Sequence, residues 1–89
     1  MTKRVFITGI GMITPLGLDT TTTWQNLVAG KSGAAPIEHF DPTEFQTQIA
    51  CEVKDFDATN FIDRKKARQL DRFSQFAMSA AQEALAQSN

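Results

Sequence analysis

The side chains in this sequence with the clearest chemical potential are basic, and they are concentrated in one short run. Five of the nine Lys and Arg residues fall within a single stretch of helical pattern: Arg64, Lys65, Lys66, Arg68 and Arg72. They stand in the first turns of a predicted helix, where the helix dipole favours anions over cations. This placement predicts a docking patch for a negatively charged partner, and the alternative is a solvated helix face. Lys65, Arg68 and Arg72 are spaced three and four apart, so we expect them to share one face.

The sequence has one cysteine and one histidine, Cys51 and His39. One cysteine excludes an internal disulfide, and the pair supplies too few ligands for a zinc site. A nucleophilic cysteine needs a nearby base or a helix N-terminus. Cys51 instead falls in a predicted strand, on the apolar side with Ile49 and Val53, which predicts a buried structural residue. His39 lies in a predicted loop and is interpreted as a packing residue. We expect neither a catalytic residue nor a metal site.

The segment Gly9-Ile10-Gly11 follows an apolar run and invites comparison with a dinucleotide-binding turn. That fingerprint requires a third glycine three positions later, and this chain has Thr14 there. The next predicted helix also begins too late to present its N-terminus to a pyrophosphate. The glycines are therefore interpreted as a turn that the backbone geometry requires.

Composition limits the function classes further. The chain has 89 residues, 42% of them hydrophobic and 21% charged, with a net charge of −1. This balance argues against a protein dominated by binding to a phosphate backbone, although a nucleic-acid-binding basic helix stays open as an alternative. The apolar run at residues 5–7 is too short for a signal peptide or a membrane span. Together with the single cysteine, it predicts a protein of the cytoplasm.

Hydrophobic periodicity predicts an α/β chain whose elements position these groups. The predicted elements are, in order, a strand over residues 4–9, a helix over 20–29, a short helix starting at 41, a strand over 48–54 and a long helix from 63 to about 87. The first strand is apolar on both faces, as in a sheet covered by helices. Asp19 and Gly30 are the expected caps of the first helix, and Trp24, Leu27 and Val28 its apolar stripe. Two strands alone cannot cover these faces, so we expect part of a larger fold.

Four motifs, taken in their order along the chain, indicate a family resemblance. They are RVFITGIGMITPLG at residues 4–17, His39-Phe40-Asp41, Val53-Lys54-Asp55-Phe56, and Arg64-Lys65 with Arg68 and Asp71. In this order they resemble the opening of the β-ketoacyl-acyl-carrier-protein synthases. The similarity covers essentially the whole chain without large gaps. The second and third motifs favour the elongating, KAS II branch of that family.

The resemblance implies a thiolase-like αβαβα layered fold, of which residues 1–89 would be the beginning of the N-terminal half, with no second domain. It implies an acyltransferase that condenses acyl groups with malonyl-carrier protein by decarboxylative Claisen condensation in fatty-acid elongation. The enzyme would be a cytoplasmic homodimer without a metal or organic cofactor, and it would bind neither nucleic acid nor membrane. The family's catalytic cysteine, histidines and lysine match no residue of this chain, Cys51 and His39 included. The resemblance therefore assigns no catalytic residue to this chain, and we expect the chain alone to be inactive.

The resemblance also implies a partner for the basic run. Synthases of this branch bind the acidic acyl carrier protein near this helix start, and Lys65 and Arg68 fall at matching positions. Gln69 replaces a lysine of the family pattern, Lys66 is expected to compensate, and Arg72 is expected to extend the patch. Two alternatives stay open: a stand-alone carrier-protein docking module without catalysis, and part of a polyketide ketosynthase.

Overall fold

The computed structural model describes residues 2–89, which form two compact units. The central unit comprises residues 13–56, and the terminal unit comprises residues 2–12 together with residues 57–89. The central unit contains helix α1 (Thr20–Val28) and strands β1 (Ala34–Pro36) and β2 (Ile49–Cys51). The terminal unit contains a 3₁₀ turn (Ala58–Asn60) and helices α2 (Arg64–Ala67) and α3 (Arg72–Ser88).

Helix α1 is attached to the preceding chain through threonine hydroxyl groups. Thr14 and Gly17 exchange backbone hydrogen bonds of 2.8 and 3.2 Å, which closes a turn with Pro15 at its second position. Thr23 is buried, and its hydroxyl lies 3.3 Å from the Gly17 carbonyl oxygen and 3.0 Å from Thr14 Oγ1. The amide of Asn26 donates to the carbonyl oxygen of Leu16 at 2.6 Å. The turn at residues 14–17 therefore forms hydrogen bonds with the polar face of α1.

The bounds predicted for α1 are confirmed to within one residue at its end. The Asp19 carboxylate accepts the Thr22 N–H at 2.6 Å, and Gly30 leaves the helix with a φ of +77°. The predicted apolar stripe is not buried within residues 2–89: Trp24 is 60% exposed and Val28 is 64% exposed. The threonine contacts turn the opposite side of the helix inward.

Strands β1 and β2 pair antiparallel, with Ala34 opposite Cys51 and Pro36 opposite Ile49. The predicted strand over residues 48–54 is thus present but only three residues long. Its partner β1 was not expected in a segment that contains proline. Pro36 is tolerated because it stands at the end of a strand in a two-stranded sheet, where a missing N–H breaks no inner ladder. One further bond, from the Ile37 N–H to the Gln48 carbonyl oxygen at 2.9 Å, extends the pairing.

The short helix predicted at residue 41 is wrong, because the chain makes a single turn there. The Asp41 carboxylate accepts the Thr43 N–H as a helix cap would, and the Phe45 N–H donates to the Pro42 carbonyl oxygen at 2.9 Å. The carbonyl groups that would continue the helix are taken by a side chain instead. Gln48 Nε2 donates to those of Thr43 and Phe45 at 3.3 and 3.2 Å.

The strand predicted over residues 4–9 is also wrong. Within residues 2–89 the segment forms no strand and pairs with none, because the only sheet there consists of β1 and β2. Val5 is 92% exposed and Ile7 81%. The chain that follows runs against α3 instead: the Ile10 N–H donates to Gln87 Oε1 at 2.6 Å, and the Met12 N–H donates to Glu83 Oε1 at 2.9 Å.

Two glycines allow this close approach to α3. A Cβ added at Gly9 would lie 2.0 Å from the Ala84 carbonyl oxygen, and one added at Gly11 would lie 1.7 Å from that of Ala80. Real Cβ atoms do not come this close to backbone oxygen. The expectation that the backbone requires glycine here is confirmed, but as a close approach and not as the predicted turn, because no turn forms at residues 9–11.

Candidate docking site

The basic residues are positioned by the 3₁₀ turn, α2 and the start of α3. Ile62 and Ala67 are each 5% exposed and Ala58 is 8% exposed, so buried apolar side chains anchor this region. The charged side chains of the same region lie at the surface, and Lys65, Lys66 and Arg68 are all exposed. We call residues 64–68, which carry four of the five basic side chains of the run, the basic turn.

The long helix predicted from residue 63 to 87 is wrong in one respect, because it is broken between Arg68 and Asp71. Asp71 adopts an extended conformation and precedes the first residue of α3, a position that suits aspartate. The break invalidates the spacing argument across it: Lys65 and Arg68 belong to the basic turn, whereas Arg72 starts a separate helix. A face shared by all three residues no longer follows from their separation in sequence.

The five cations differ in their local partners. Arg64 lies near Asp57, whose pKa is lowered chiefly by the hydroxyl and N–H of Thr59 and further by the charge of Arg64. The Arg72 guanidinium lies 5.0 Å from the ring centroid of Phe76. Lys65, Lys66 and Arg68 form no ion pair with any of residues 2–89. The list of predicted docking residues thus divides into three unpaired cations and Arg72, which stacks on a ring.

The sequence interpretation missed one residue of this site, Gln75 on the first turns of α3. Its Nε2 donates to the Ala67 carbonyl oxygen at 2.9 Å and lies 3.4 Å from that of Leu70. Nothing in the sequence pattern distinguishes this glutamine from the exposed Gln82 of the same helix. Only the break between α2 and α3 leaves carbonyl groups within its reach.

The prediction that Cys51 is buried is wrong, because the residue is exposed and its thiol is free. Ile49, on the same side of β2, is 61% exposed. His39 does lie in a loop, with Nε2 3.8 Å from Glu52 Oε2. The same carboxylate accepts the N–H groups of Glu38 at 3.0 Å and His39 at 3.3 Å, and the pKa of Glu52 is lowered, chiefly by the bond from Glu38.

The central unit has a cavity of about 390 Å³ beside the start of α1. It is lined by Thr14, Pro15, Leu16, Gly17, Leu18, Asp19, Thr22, Lys54 and Asp55. Two of its charged groups are already engaged: Asp19 accepts the Thr22 N–H, and Lys54 Nζ lies 3.0 Å from Glu38 Oε2. Among residues 2–89, no three His, Cys, Asp or Glu side chains are grouped so as to hold a metal ion. Over the same residues, no helix has the length and apolar character needed to cross a membrane.

Comparison with known proteins confirms the resemblance found in the sequence. Residues 2–89 match the family described as beta-ketoacyl synthase, N-terminal domain. The 3-oxoacyl-[acyl-carrier-protein] synthase 2 of Coxiella burnetii is 51% identical over 82 residues, and the protein of that name from Synechocystis sp. is 48% identical over 83. The alignments cover 92% and 93% of this chain but 20% of each relative, so the chain spans about a fifth of their length.

The fold agrees with the same family. A solved structure, the ishigamide ketosynthase/chain length factor, matches with a TM-score of 0.83 and 35% identity, and covers 92% of this chain and 20% of that one. The expected fold class, part of a thiolase-like α/β fold, is confirmed. The chain therefore belongs to the beta-ketoacyl synthase family, and residues 2–89 match its N-terminal domain.

Proposed function

We propose that this chain is the N-terminal part of a 3-oxoacyl-[acyl-carrier-protein] synthase of the KAS II type. The whole enzyme would carry out decarboxylative Claisen condensation of acyl groups with malonyl-carrier protein in fatty-acid elongation, as a homodimer in the cytoplasm. The relatives named 3-oxoacyl-[acyl-carrier-protein] synthase 2 are 43–51% identical to the chain, whereas the ishigamide ketosynthase/chain length factor structure is 35% identical. That difference favours the fatty-acid pathway over the polyketide alternative.

The part that residues 1–89 play in this function is the docking of acyl carrier protein. The observation that carries the proposal is the set of three exposed cations, Lys65, Lys66 and Arg68, on one short turn, where they form no ion pair with the described residues 2–89. An acidic partner would be attracted by these charges without first breaking ion pairs of the chain. Arg72 contributes at the edge of the patch, with its guanidinium on the ring of Phe76. Gln69 adds no charge.

Binding of fluorescently labelled acyl carrier protein to the chain tests this proposal. Lys65→Ala with Arg68→Ala is expected to weaken binding by about tenfold and to reduce its dependence on salt, since two interfacial charges are lost. The matched control is Lys3→Ala with Lys31→Ala, which removes the same charge from two exposed positions elsewhere. An equal loss in the control would mean that net charge alone attracts the partner. Tighter binding of duplex DNA than of carrier protein would favour the nucleic-acid alternative instead.

The chain by itself is expected to release no CO₂ from malonyl-carrier protein. Its only thiol, Cys51, lies on strand β2 and not at a helix N-terminus, where a thiolate would be stabilised. Cys51→Ala and the unaltered chain should give the same background signal. Decarboxylation by the purified chain that disappears in Cys51→Ala would contradict this assignment.

A further inference from the structure

We propose that Gln75 is a positioning residue of the docking site, which holds the basic turn in the orientation that the carrier protein meets. The inference rests on the proposed function, because it concerns the same patch. Gln75 Nε2 donates to the carbonyl oxygen of Ala67, the last residue of α2, at 2.9 Å, and lies 3.4 Å from that of Leu70. Its backbone N–H meanwhile donates to the Asp71 carbonyl oxygen at 2.9 Å within α3. One residue thus bonds both helices.

Helix α2 needs such a connection because it has only four residues. So short a helix is not stable by itself, since nucleation costs more than its few bonds return. Its end is irregular as well: the N–H groups of Gln69 and Leu70 donate to the Lys66 and Ala67 carbonyl oxygens, at 3.0 and 3.2 Å, in the tighter three-residue pattern. The Ala67 carbonyl oxygen thus has one partner along the chain, the Leu70 N–H, in a tight and irregular turn. The amide of Gln75 supplies a second partner from α3.

The apolar anchors of this region cannot replace that bond. Ile62 and Ala67 are buried, but hydrophobic contact is not directional and leaves a short turn free to rotate. A hydrogen bond between amide and carbonyl has a preferred angle as well as a length. The directions of Lys65, Lys66 and Arg68 therefore depend on a neutral residue that carries none of the patch's charge. Without it, the partner would have to order the turn on binding, which weakens affinity.

The test compares Gln75→Met, which keeps the length of the side chain but has no donor, with Gln82→Met, its matched control at an exposed position of α3. Acyl carrier protein is the probe, titrated over a range of salt concentrations. Gln75→Met is expected to weaken binding by about threefold to tenfold, the effect of one neutral hydrogen bond. The slope of affinity against salt should not change, because every cation is still present. Amide hydrogen exchange at residues 68–70 should become faster in Gln75→Met and stay unchanged in Gln82→Met.

A donor-restoring variant separates positioning from a general loss of structure. In Gln75→Lys the ammonium group can donate to the same carbonyl oxygens, and Gln82→Lys adds the same charge elsewhere on the helix. We expect exchange at residues 68–70 in Gln75→Lys to match that in Gln82→Lys. Faster exchange at residues 68–70 in Gln75→Lys than in Gln82→Lys would overturn the inference. This comparison decides the question even if Gln75→Met unfolds the whole chain.

The remaining outcomes distinguish this inference from the proposed function. If the unaltered chain does not bind carrier protein, the proposed function fails. Hydrogen exchange tests the positioning role separately, and unchanged exchange at residues 68–70 in Gln75→Met would overturn it. If the unaltered chain binds and Lys65→Ala with Arg68→Ala weakens binding, the proposed function stands. Equal binding by Gln75→Met and the unaltered chain then overturns the role of Gln75 alone.

Discussion

Replacing Gly11 by alanine tests the contact between the N-terminal segment and α3. The added Cβ would lie 1.7 Å from the Ala80 carbonyl oxygen, 2.7 Å from its carbonyl carbon and 3.0 Å from the Ala84 nitrogen. All three are backbone atoms of a helix, so no rotation of a side chain can relieve the clash. Ordinary contact begins at 3.4 Å, and the segment would have to move by about 1.7 Å, half that distance, to reach it.

A movement of that size has a definite cost. It would break the bond from the Met12 N–H to Glu83 Oε1, now 2.9 Å, and strain the neighbouring bond from the Ile10 N–H to Gln87. Two such bonds contribute roughly 1–3 kcal/mol, a range similar to that for overpacking a tight contact. Alanine also lowers the conformational entropy of the unfolded chain relative to glycine, which stabilises the folded state by about 0.4–1 kcal/mol. We therefore expect Gly11→Ala to lower the free energy of unfolding by about 1–2 kcal/mol.

Equilibrium unfolding in urea, followed by circular dichroism, measures this change. Val5→Ala is the control, because it introduces alanine in the same segment at a residue that is 92% exposed. The control should stay within about 0.5 kcal/mol of the unaltered chain, as surface substitutions usually do. If Gly11→Ala behaves like Val5→Ala, the close approach of this segment to the helix is not present in solution, and the reasoning fails.

Substitutions at three further positions probe other features of the chain. Ser79→Ala should raise the free energy of unfolding by about 1 kcal/mol, because Ser79 is 1% exposed and its hydroxyl has no partner among residues 2–89; a decrease in a urea titration would contradict this. Asp19→Ala should lower it by about 1 kcal/mol through loss of the α1 cap, and Asp19→Asn, which keeps an acceptor, by less; equal losses would show that the charge matters more than the bond. The bonds from Glu38 and His39 lower the pKa of Glu52 from its ordinary value of 4.5, so its contribution to stability is complete above that pH and is lost as the pH falls through the lowered pKa. Glu52→Gln should flatten the acid branch of stability against pH, and an unchanged branch would refute the assignment.

Several features were predictable because their causes are local. Asp19 before a run of helical pattern and Gly30 after it define α1, since a cap acts only on the turn next to it. The turn predicted at residues 9–11 does not form, but the expected need for glycine there is correct, because glycine is needed where one backbone comes close to another. Which backbone that is, α3 at Ala80 and Ala84, could not be predicted, because the contact joins residues about seventy positions apart.

At the candidate site, too, local features were predictable from the sequence and contacts between separate elements were not. The concentration of Lys65, Lys66 and Arg68 is visible in the sequence, and so is the resemblance that associates these residues with a carrier protein. The break before Asp71 is not visible, because neither glycine nor proline marks it. An uninterrupted helical pattern therefore predicted one face for residues that the structure places on two helices, and it concealed the bonds of Gln75 across the break.

The sequence by itself determined the family, the charge of the docking patch, the caps of α1 and the need for glycine near residue 11. These depend on residue identity or on interactions within a few positions. Tertiary structure decided whether residues 4–9 form a strand, whether Cys51 is buried and how the cations are divided. A strand requires a partner, burial requires a covering layer, and the direction of a short helix requires a bond from outside it. None of these is a property of the segment alone.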